Sequence, residues 1–471
     1  MALSNTEIEN IVNKVMAEVN QRKIYPSPTT APSSSSAGDF FNSMEDAIEA
    51  AFAAQKVLIS LGLDKRREII QSIREYSSRY NQELAELAVQ ETGYGRVEDK
   101  MLKNKLCIEK TPGVEDLQPE AFSGEHGLSL VELAPYGVIG SITPSTNPGA
   151  TMINNTISMV SAGNAVVYSP HPAAKRISQR AIAIIREAIA AVGGPKDVVV
   201  TVKEPTVETA NIMMEHPKVR LIVVTGGEDI VHIAMSKNKK AMCAGPGNPP
   251  VVVDETADIL KAARDIVSGS TFDNNVLCTA EKEVFAVDTI FDELKANMVK
   301  NGMYELKGSQ IDDITRLVVQ PDGKINKNYV GKSANVILKD IGITPSYDVR
   351  GVIFETNKEH PLVKKEQLMP VLPLVRVSNV NQGIEYALEA EHNYLHSAYL
   401  HSKNVETMSR MATMMNTSIF VKNGPSYAGL GFGGEGFTSM TISTPTGEGI
   451  THARTFTRLR RCVLVDYFRI V

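Results

Sequence analysis

The stretch from Gly137 to Thr225 limits the possible folds more than any other part of the chain, because apolar runs of strand length alternate there with amphipathic segments of helical period. Val138-Ile139-Gly140-Ser141-Ile142 precedes a helix predicted over Ala150 to Ala162, and Ala165-Val166-Val167-Tyr168 follows it. A second helix, Ala173 to Ala191, ends at Gly193-Gly194 and leads to Val198-Val199-Val200-Thr201-Val202. A third leads to Leu221-Ile222-Val223-Val224. Strands that are apolar at every position belong in a sheet covered on both faces, and helical crossovers make such a sheet parallel. The predicted class is α/β. Ligands of these sheets bind beyond the carboxyl ends of the strands. Those ends carry Thr143-Pro144-Ser145-Thr146-Asn147-Pro148, Ser169-Pro170-His171-Pro172 and Thr225-Gly226-Gly227. The last opens a helix, whose free backbone N–H groups suit a phosphate.

A single cysteine sits at a second informative place. Ile259, Ala262, Ala263, Ile266 and Val267 recur at helical spacing until Gly269, whereas Glu283-Val284-Phe285-Ala286-Val287 has the content of a buried strand. Cys278 lies on the connection between them, within Asn274-Asn275-Val276-Leu277-Cys278-Thr279-Ala280-Glu281-Lys282, where a scaffold can hold a side chain open to a ligand. A thiol attacks only as thiolate, and its ordinary pKa of about 8.5 leaves a few per cent ionised at neutral pH. A lone cysteine is otherwise a small buried hydrophobe, so further evidence for catalysis has to come from elsewhere in the chain.

Composition removes several classes of function. With 49 basic against 54 acidic residues, the net charge of -5 offers no electrostatic case for nucleic acid. The 4 cysteines, Cys107, Cys243, Cys278 and Cys462, lack paired spacing, which argues against a disulfide scaffold or zinc knuckle and suits a reducing cytosol. No apolar run reaches membrane-spanning length. His392, His396 and His401 lack accompanying acidic or thiol ligands, so no metal site is expected. Gly429-Leu430-Gly431-Phe432-Gly433-Gly434 fits a dinucleotide-binding string, but Phe437 to Ile442 after it looks extended rather than helical. The segment reads instead as a loop, either near the active site or on the plain surface.

The amino terminus is a separate unit. Ser4 and Glu7 form a capping box, and Ile8, Ile11, Val12, Val15, Met16 and Val19 make one apolar stripe. A Pro/Ser-rich linker from Tyr25 to Gly38 then tethers this helix to the rest. Such a helix frays, joins an oligomer interface, or docks in a partner's groove, and docking is the preferred reading.

Taken in order and spacing, the Asn147 loop, the Thr225-Gly226-Gly227 turn, the Cys278 loop and Glu366-Gln367-Leu368-Met369-Pro370-Val371 resemble the aldehyde dehydrogenase superfamily from about Met44 to Val471. Thr143 to Pro148, Ser169 to Pro172, Gly247-Asn248-Pro249-Pro250 and Val421-Lys422-Asn423-Gly424-Pro425 look like its CoA-acylating branch, the propionaldehyde and acetaldehyde dehydrogenases of bacterial microcompartments. The resemblance implies a Rossmann-type cofactor domain over 43–240, with an arm hairpin near 115–135, and a catalytic α/β domain over 241–425. It also implies a return to the cofactor domain with an oligomerisation strand over 426–471, an encapsulation helix over 1–22 and a linker over 23–42. Cys278 looks like the nucleophile and Asn147 like the side-chain donor of the oxyanion hole, while His396 is a candidate for deprotonating coenzyme A. NAD contacts are implied at Thr143, Pro144, Ser145, Ser169, His171, Pro172, Thr225, Gly226, Gly227, Gly245, Glu366 and Leu368.

Two departures from the superfamily pattern matter. Hydrolytic members carry a glutamate base where this chain has Ala244, and a lysine and a glutamate that grip the adenosine ribose where it has Ser169 and Pro172. Water, with a pKa near 15.7, needs a strong base, whereas a thiol near 8.5 does not. The expectation is therefore an NAD-dependent, CoA-acylating oxidation of propionaldehyde first and acetaldehyde next. The expected form is a homo-oligomer, dimer or tetramer, that docks on a shell protein of a cytoplasmic microcompartment. The rivals are a hydrolytic dehydrogenase and a non-catalytic cargo protein.

Overall fold

The computed structural model describes residues 40–471, so the helix expected over 1–22 and most of the linker lie outside the described residues. Strands are numbered in chain order. β1 (Glu120–Gly124) and β2 (Gly127–Pro135) form an antiparallel hairpin. The next five, β3 (Val138–Thr143), β4 (Ala165–Pro170), β5 (Val199–Thr201), β6 (Val219–Thr225) and β7 (Lys240–Ala244), make a parallel sheet in the order β5-β4-β3-β6-β7. All of β4 and β5 and nearly all of β3 are buried, as runs apolar at every position require. Helices Met44–Ser60, Gly62–Arg79, Pro148–Ser161 and Lys175–Ala191 contribute to the same core. Ser43 caps the first of them, its Oγ accepting from the Asp46 N–H at 3.1 Å.

A second, seven-stranded parallel sheet runs β10-β11-β12-β9-β8-β13-β14. Its strands are β8 (Pro250–Val253), β9 (Glu283–Val287), β10 (Met303–Glu305), β11 (Gly351–Thr356), β12 (Val371–Val377), β13 (Ser397–His401) and β14 (Ile419–Lys422). A two-stranded piece, β15 (Ile442–Ser443) and β16 (Gly449–Ile450), follows it. The long β17 (Thr457–Val465) then pairs antiparallel with β2 along its whole length, giving a β1-β2-β17 sheet.

Two local results differ from the sequence reading. The helix before the cysteine does not stop at Gly269 but runs from Ile259 to Thr271. Glycine is needed there for space: a Cβ at position 269 would run into the buried Glu281 carboxylate. A further helix, Val97–Lys110, follows Gly95, and the sequence reading did not identify it. Phe437 to Ile442 is not helical, and the glycine-rich string begins inside a 3-10 turn, Ser426–Leu430.

Candidate active site

The two parallel sheets supply the site in opposite senses. The first offers the carboxyl ends of its strands, with Asn147 beyond β3, Ser169 in β4, Thr225 closing β6 and Ala244 closing β7. The second offers the amino ends, with Gly247 before β8, Cys278 before β9, Glu366 before β12 and His396 before β13. The carboxyl-end rule thus accounts for half of the site.

Cys278 is partly exposed on a loop whose base is conformationally unusual. Asp273, Asn274 and Asn275 all take positive φ, at 50°, 53° and 65°. Short Asx side chains tolerate this region at the least cost, and buried hydrogen bonds hold each of the three. The Asn274 amide donates to Gly331 O at 2.9 Å and accepts from Arg96 Nε at 3.0 Å. Asn275 Nδ2 donates to Ser270 O at 2.8 Å and Glu281 O at 3.0 Å. Lys282, fully buried, closes the loop from the other side, donating to Asn275 Oδ1 at 2.5 Å and Leu277 O at 2.9 Å. Burial lowers its pKa, while the charges of Glu366, Glu283 and Glu281 act in the other direction.

Asp273 ties this loop to the helix Val97–Lys110. Its carboxylate accepts from Lys100 Nζ at 3.0 Å, from Lys103 Nζ and from the Arg96 N–H at 2.8 Å, while its own N–H donates to Asp99 Oδ2 at 2.9 Å. Lys103 also donates to Asn147 Oδ1, and Asn147 Nδ2 donates to Val276 O at 3.1 Å, two residues before the cysteine. Burial pushes Lys103 down to about 8 against the pull of Asp273. Lys100, Lys103 and Asp273 escaped the sequence reading. Their only signal was the Asx run before Cys278, since charged residues on an amphipathic helix ordinarily face solvent.

On the second-sheet side, Gly247 is wedged between the Cys278 carbonyl and the His396 ring, since a Cβ there would lie 2.9 Å from each. His396 is buried, with Nδ1 2.8 Å from Ser397 Oγ and Nε2 without a partner. Burial and the charge of Lys282 push it down to about 4, so the ring is neutral and only weakly basic. Burial raises Glu366 to about 7, held back by Lys282 and the Gly247 N–H. Burial, followed by the charge of Glu366, pushes the Cys278 thiol up to about 12, while Lys282 and backbone N–H groups act in the other direction. His392 and His401 stand apart. His392 meets Lys364 O at 2.7 Å, and His401 is buried near Asp265. Among the described residues no group of histidine, cysteine and acidic side chains could hold a metal ion.

Of the residues expected to hold a dinucleotide, all but Glu366 and Leu368 follow or end strands at the carboxyl edge of the first sheet. Thr143 and Ser169 are buried, with Thr143 Oγ1 unpartnered, and the His171 N–H donates to Thr143 O at 3.0 Å. Pro144 and Ser145 are half-buried, His171 and Pro172 exposed. Gly227 caps the nine-residue helix Glu228–Ser236 without a side-chain cap, leaving its N–H groups open, although Glu228 and Asp229 bring negative charge to that turn. The Gly226 N–H donates to Ala244 O at 3.3 Å, joining the ends of β6 and β7. Ala244 is buried, and Pro445 packs 3.1 Å from the Cβ position of Gly245. Thr225 Oγ1 meets Thr441 Oγ1 at 2.8 Å. Leu368, at φ 50°, accepts from the Gly331 N–H just beyond Glu366. Unpartnered polar atoms, an uncapped helix start and a carboxylate near Cys278 fit a dinucleotide.

A model of the aldehyde dehydrogenase family matches residues 21–452. The acetaldehyde dehydrogenase (acetylating) EutE of Escherichia coli is 47% identical over 475 residues, covering 100% of both chains. Among solved structures, the Rhodopseudomonas palustris propionaldehyde dehydrogenase with bound CoA and an acylated cysteine superposes with TM-score 0.90 at 48% identity, covering 92% of this chain and 99% of that one. The propionaldehyde dehydrogenase of the Clostridium phytofermentans fucose utilisation microcompartment gives TM-score 0.90 and 48% identity over 92% of this chain and 99% of its own. Cysteine-to-alanine and histidine-to-alanine forms of it have been solved, and the two altered positions lie as far apart in its chain as Cys278 and His396 do here.

Proposed function

Because the chain belongs to the aldehyde dehydrogenase family, we propose that it oxidises a short-chain aldehyde to an acyl-CoA, with NAD as hydride acceptor and coenzyme A as acyl acceptor. Propionaldehyde is the favoured substrate and acetaldehyde the next. The Cys278 thiolate adds to the carbonyl carbon, and the N–H of Asn147 Nδ2 that is not on Val276 O, held only by a long 3.4 Å contact to Thr146 Oγ1 that it can give up, meets the oxyanion together with the Cys278 backbone N–H. Each such donor is typically worth about 3 kcal/mol. Glu366, Thr143 and the Gly226-Gly227 turn would hold the nicotinamide cofactor, which when bound would accept the hydride; loss of that hydride leaves a thioester on Cys278. The thiolate of coenzyme A then displaces Cys278.

The observation that carries the choice of acceptor is Ala244, a buried methyl group at the end of β7 where hydrolytic members have a base. His396 offers its unpartnered Nε2 to the incoming thiol, although a ring this weakly basic assists only once its surroundings change. We further propose that residues 1–22 dock on a shell protein, in keeping with a relative whose name includes a microcompartment, and that the chain works as a homo-oligomer. No helix among the described residues is long and apolar enough to cross a membrane.

Rapid mixing of enzyme, NAD and propionaldehyde without coenzyme A tests the reading. A burst of about one NADH per site should appear and then stall, and adding coenzyme A should restore turnover with propionyl-CoA as product. Undiminished NADH release with carboxylate accumulating would make water the acceptor. No NADH with any two- to four-carbon aldehyde would leave only a non-catalytic role.

A further inference from the structure

The contact between Lys103 and Asn147 extends the reaction to a residue outside the site as read from sequence. Lys103 lies on the helix Val97–Lys110, is almost fully buried, and donates to both Asp273 Oδ2 and Asn147 Oδ1. An ammonium group has three donors and no acceptor. Asn147 can therefore meet it only through its carbonyl oxygen, which turns the NH2 edge toward the cysteine loop, where Nδ2 reaches Val276 O at 3.1 Å. A flipped amide would set N–H groups against the ammonium and an oxygen against the Val276 carbonyl. It would also aim a lone pair at the place where the oxyanion forms. A cation on the amide oxygen draws electron density from the nitrogen as well, so the N–H that rests 3.4 Å from Thr146 Oγ1 becomes a stronger donor for an oxyanion that displaces this long contact.

We propose that Lys103 is a positioning residue for aldehyde oxidation: anchored by Asp273, it locks Asn147 with its NH2 edge toward Cys278 and polarises that amide as the oxyanion donor. Asp273 matters twice, because the carboxylate that holds Lys103 belongs to the first of the three left-handed residues on which the nucleophile stands. Lys100, donating to Asp273 Oδ2 at 3.0 Å and Thr146 O at 3.3 Å, braces the same carboxylate and the backbone before Asn147 without touching its side chain. The inference rests on the aldehyde-oxidising reading above.

The test separates formation of the acyl-enzyme from reactivity of the thiol. Lys103→Met should slow the pre-steady-state burst of NADH by about tenfold to a hundredfold, part of the loss expected for a whole oxyanion donor. Alkylation of Cys278 by iodoacetamide, which passes through no oxyanion, should stay within about twofold of the parent. In an Asn147→Ala background the same change should alter the burst by less than about threefold, since Lys103 acts through the residue already removed. Lys103→Arg, which keeps a buried cation, should recover most of the rate. If Lys103→Met is insoluble, Lys103→Gln carries the same comparison without charge.

A burst in Lys103→Met within threefold of the parent, fully additive losses in the double variant, or alkylation falling in step with the burst would each overturn the inference. A parent enzyme that forms no NADH would instead overturn the reading on which it rests.

Discussion

At the scale of single residues, the charge that most opposes the chemistry is Glu366. Its carboxylate sits near enough to Cys278 to disfavour the thiolate, and together with burial, the larger cause, it pushes that thiol up to about 12. Because burial raises the glutamate to about 7, its repulsion weakens as the pH falls through 7 and strengthens as it rises above it. Glu366→Gln should therefore lower the thiol's pKa and speed iodoacetamide alkylation at pH 8 by about threefold to tenfold, with little change at pH 6, where the parent's carboxyl is already mostly protonated. Equal alkylation rates at pH 8 would show that Glu366 does not govern the thiol. At this scale legibility depended on whether a role is local. The significance of Ala244 came only through the resemblance to a family, whereas the place of Cys278 between a helix and a strand could be read from a short string. Lys103 could not, because Val97 to Lys110 carries its charges on an amphipathic pattern, and only tertiary structure shows that two of the lysines face inward.

Among elements, the contact between the helix Val97–Lys110 and the cysteine loop fixes the geometry of the site, and Gly95 is its tightest point. Gly95 has φ 78°, its N–H donates to Gly331 O at 2.9 Å, and a Cβ would run into the Asp273 carboxylate. Gly95→Ala combines a strained backbone with displacement of the carboxylate that holds Lys100 and Lys103. It should cost roughly 2 kcal/mol or more of stability and slow the NADH burst at least tenfold. A denaturation midpoint and burst rate equal to the parent's would mean that the loop does not need Asp273 where it stands. The alternation from Gly137 to Thr225 led directly to the first sheet, because buried parallel strands announce themselves by unbroken apolar content. The use of amino ends in the second sheet was hidden, since the carboxyl-end rule says nothing of a neighbouring sheet that closes the cleft from the opposite side.

For the whole molecule, the open question of assembly falls on β17. One edge of this strand pairs with β2 from Thr457 to Val465, and as the last strand of its sheet it leaves the other edge unpaired. Leu459, Val463 and Val465 lie on one face by the alternation of a strand, all exposed, and Phe468, Ile470 and Val471 beyond them are more exposed still. A long unpaired edge with exposed apolar side chains invites uncontrolled pairing, even with Arg458, Arg460 and Arg461 along it, and a second copy of this chain is the economical partner to cover it. The cysteine, Asn147 and Lys103 belong to other elements, so assembly and chemistry should separate. Changing Leu459→Glu together with Val463→Glu should reduce the mass seen by sedimentation to that of a smaller assembly or a single chain. The burst of NADH per subunit should remain close to one, because each chain carries its own nucleophile and donors. An unchanged mass would move the interface elsewhere. A burst lost along with the assembly would mean that a neighbouring copy completes or stiffens the site.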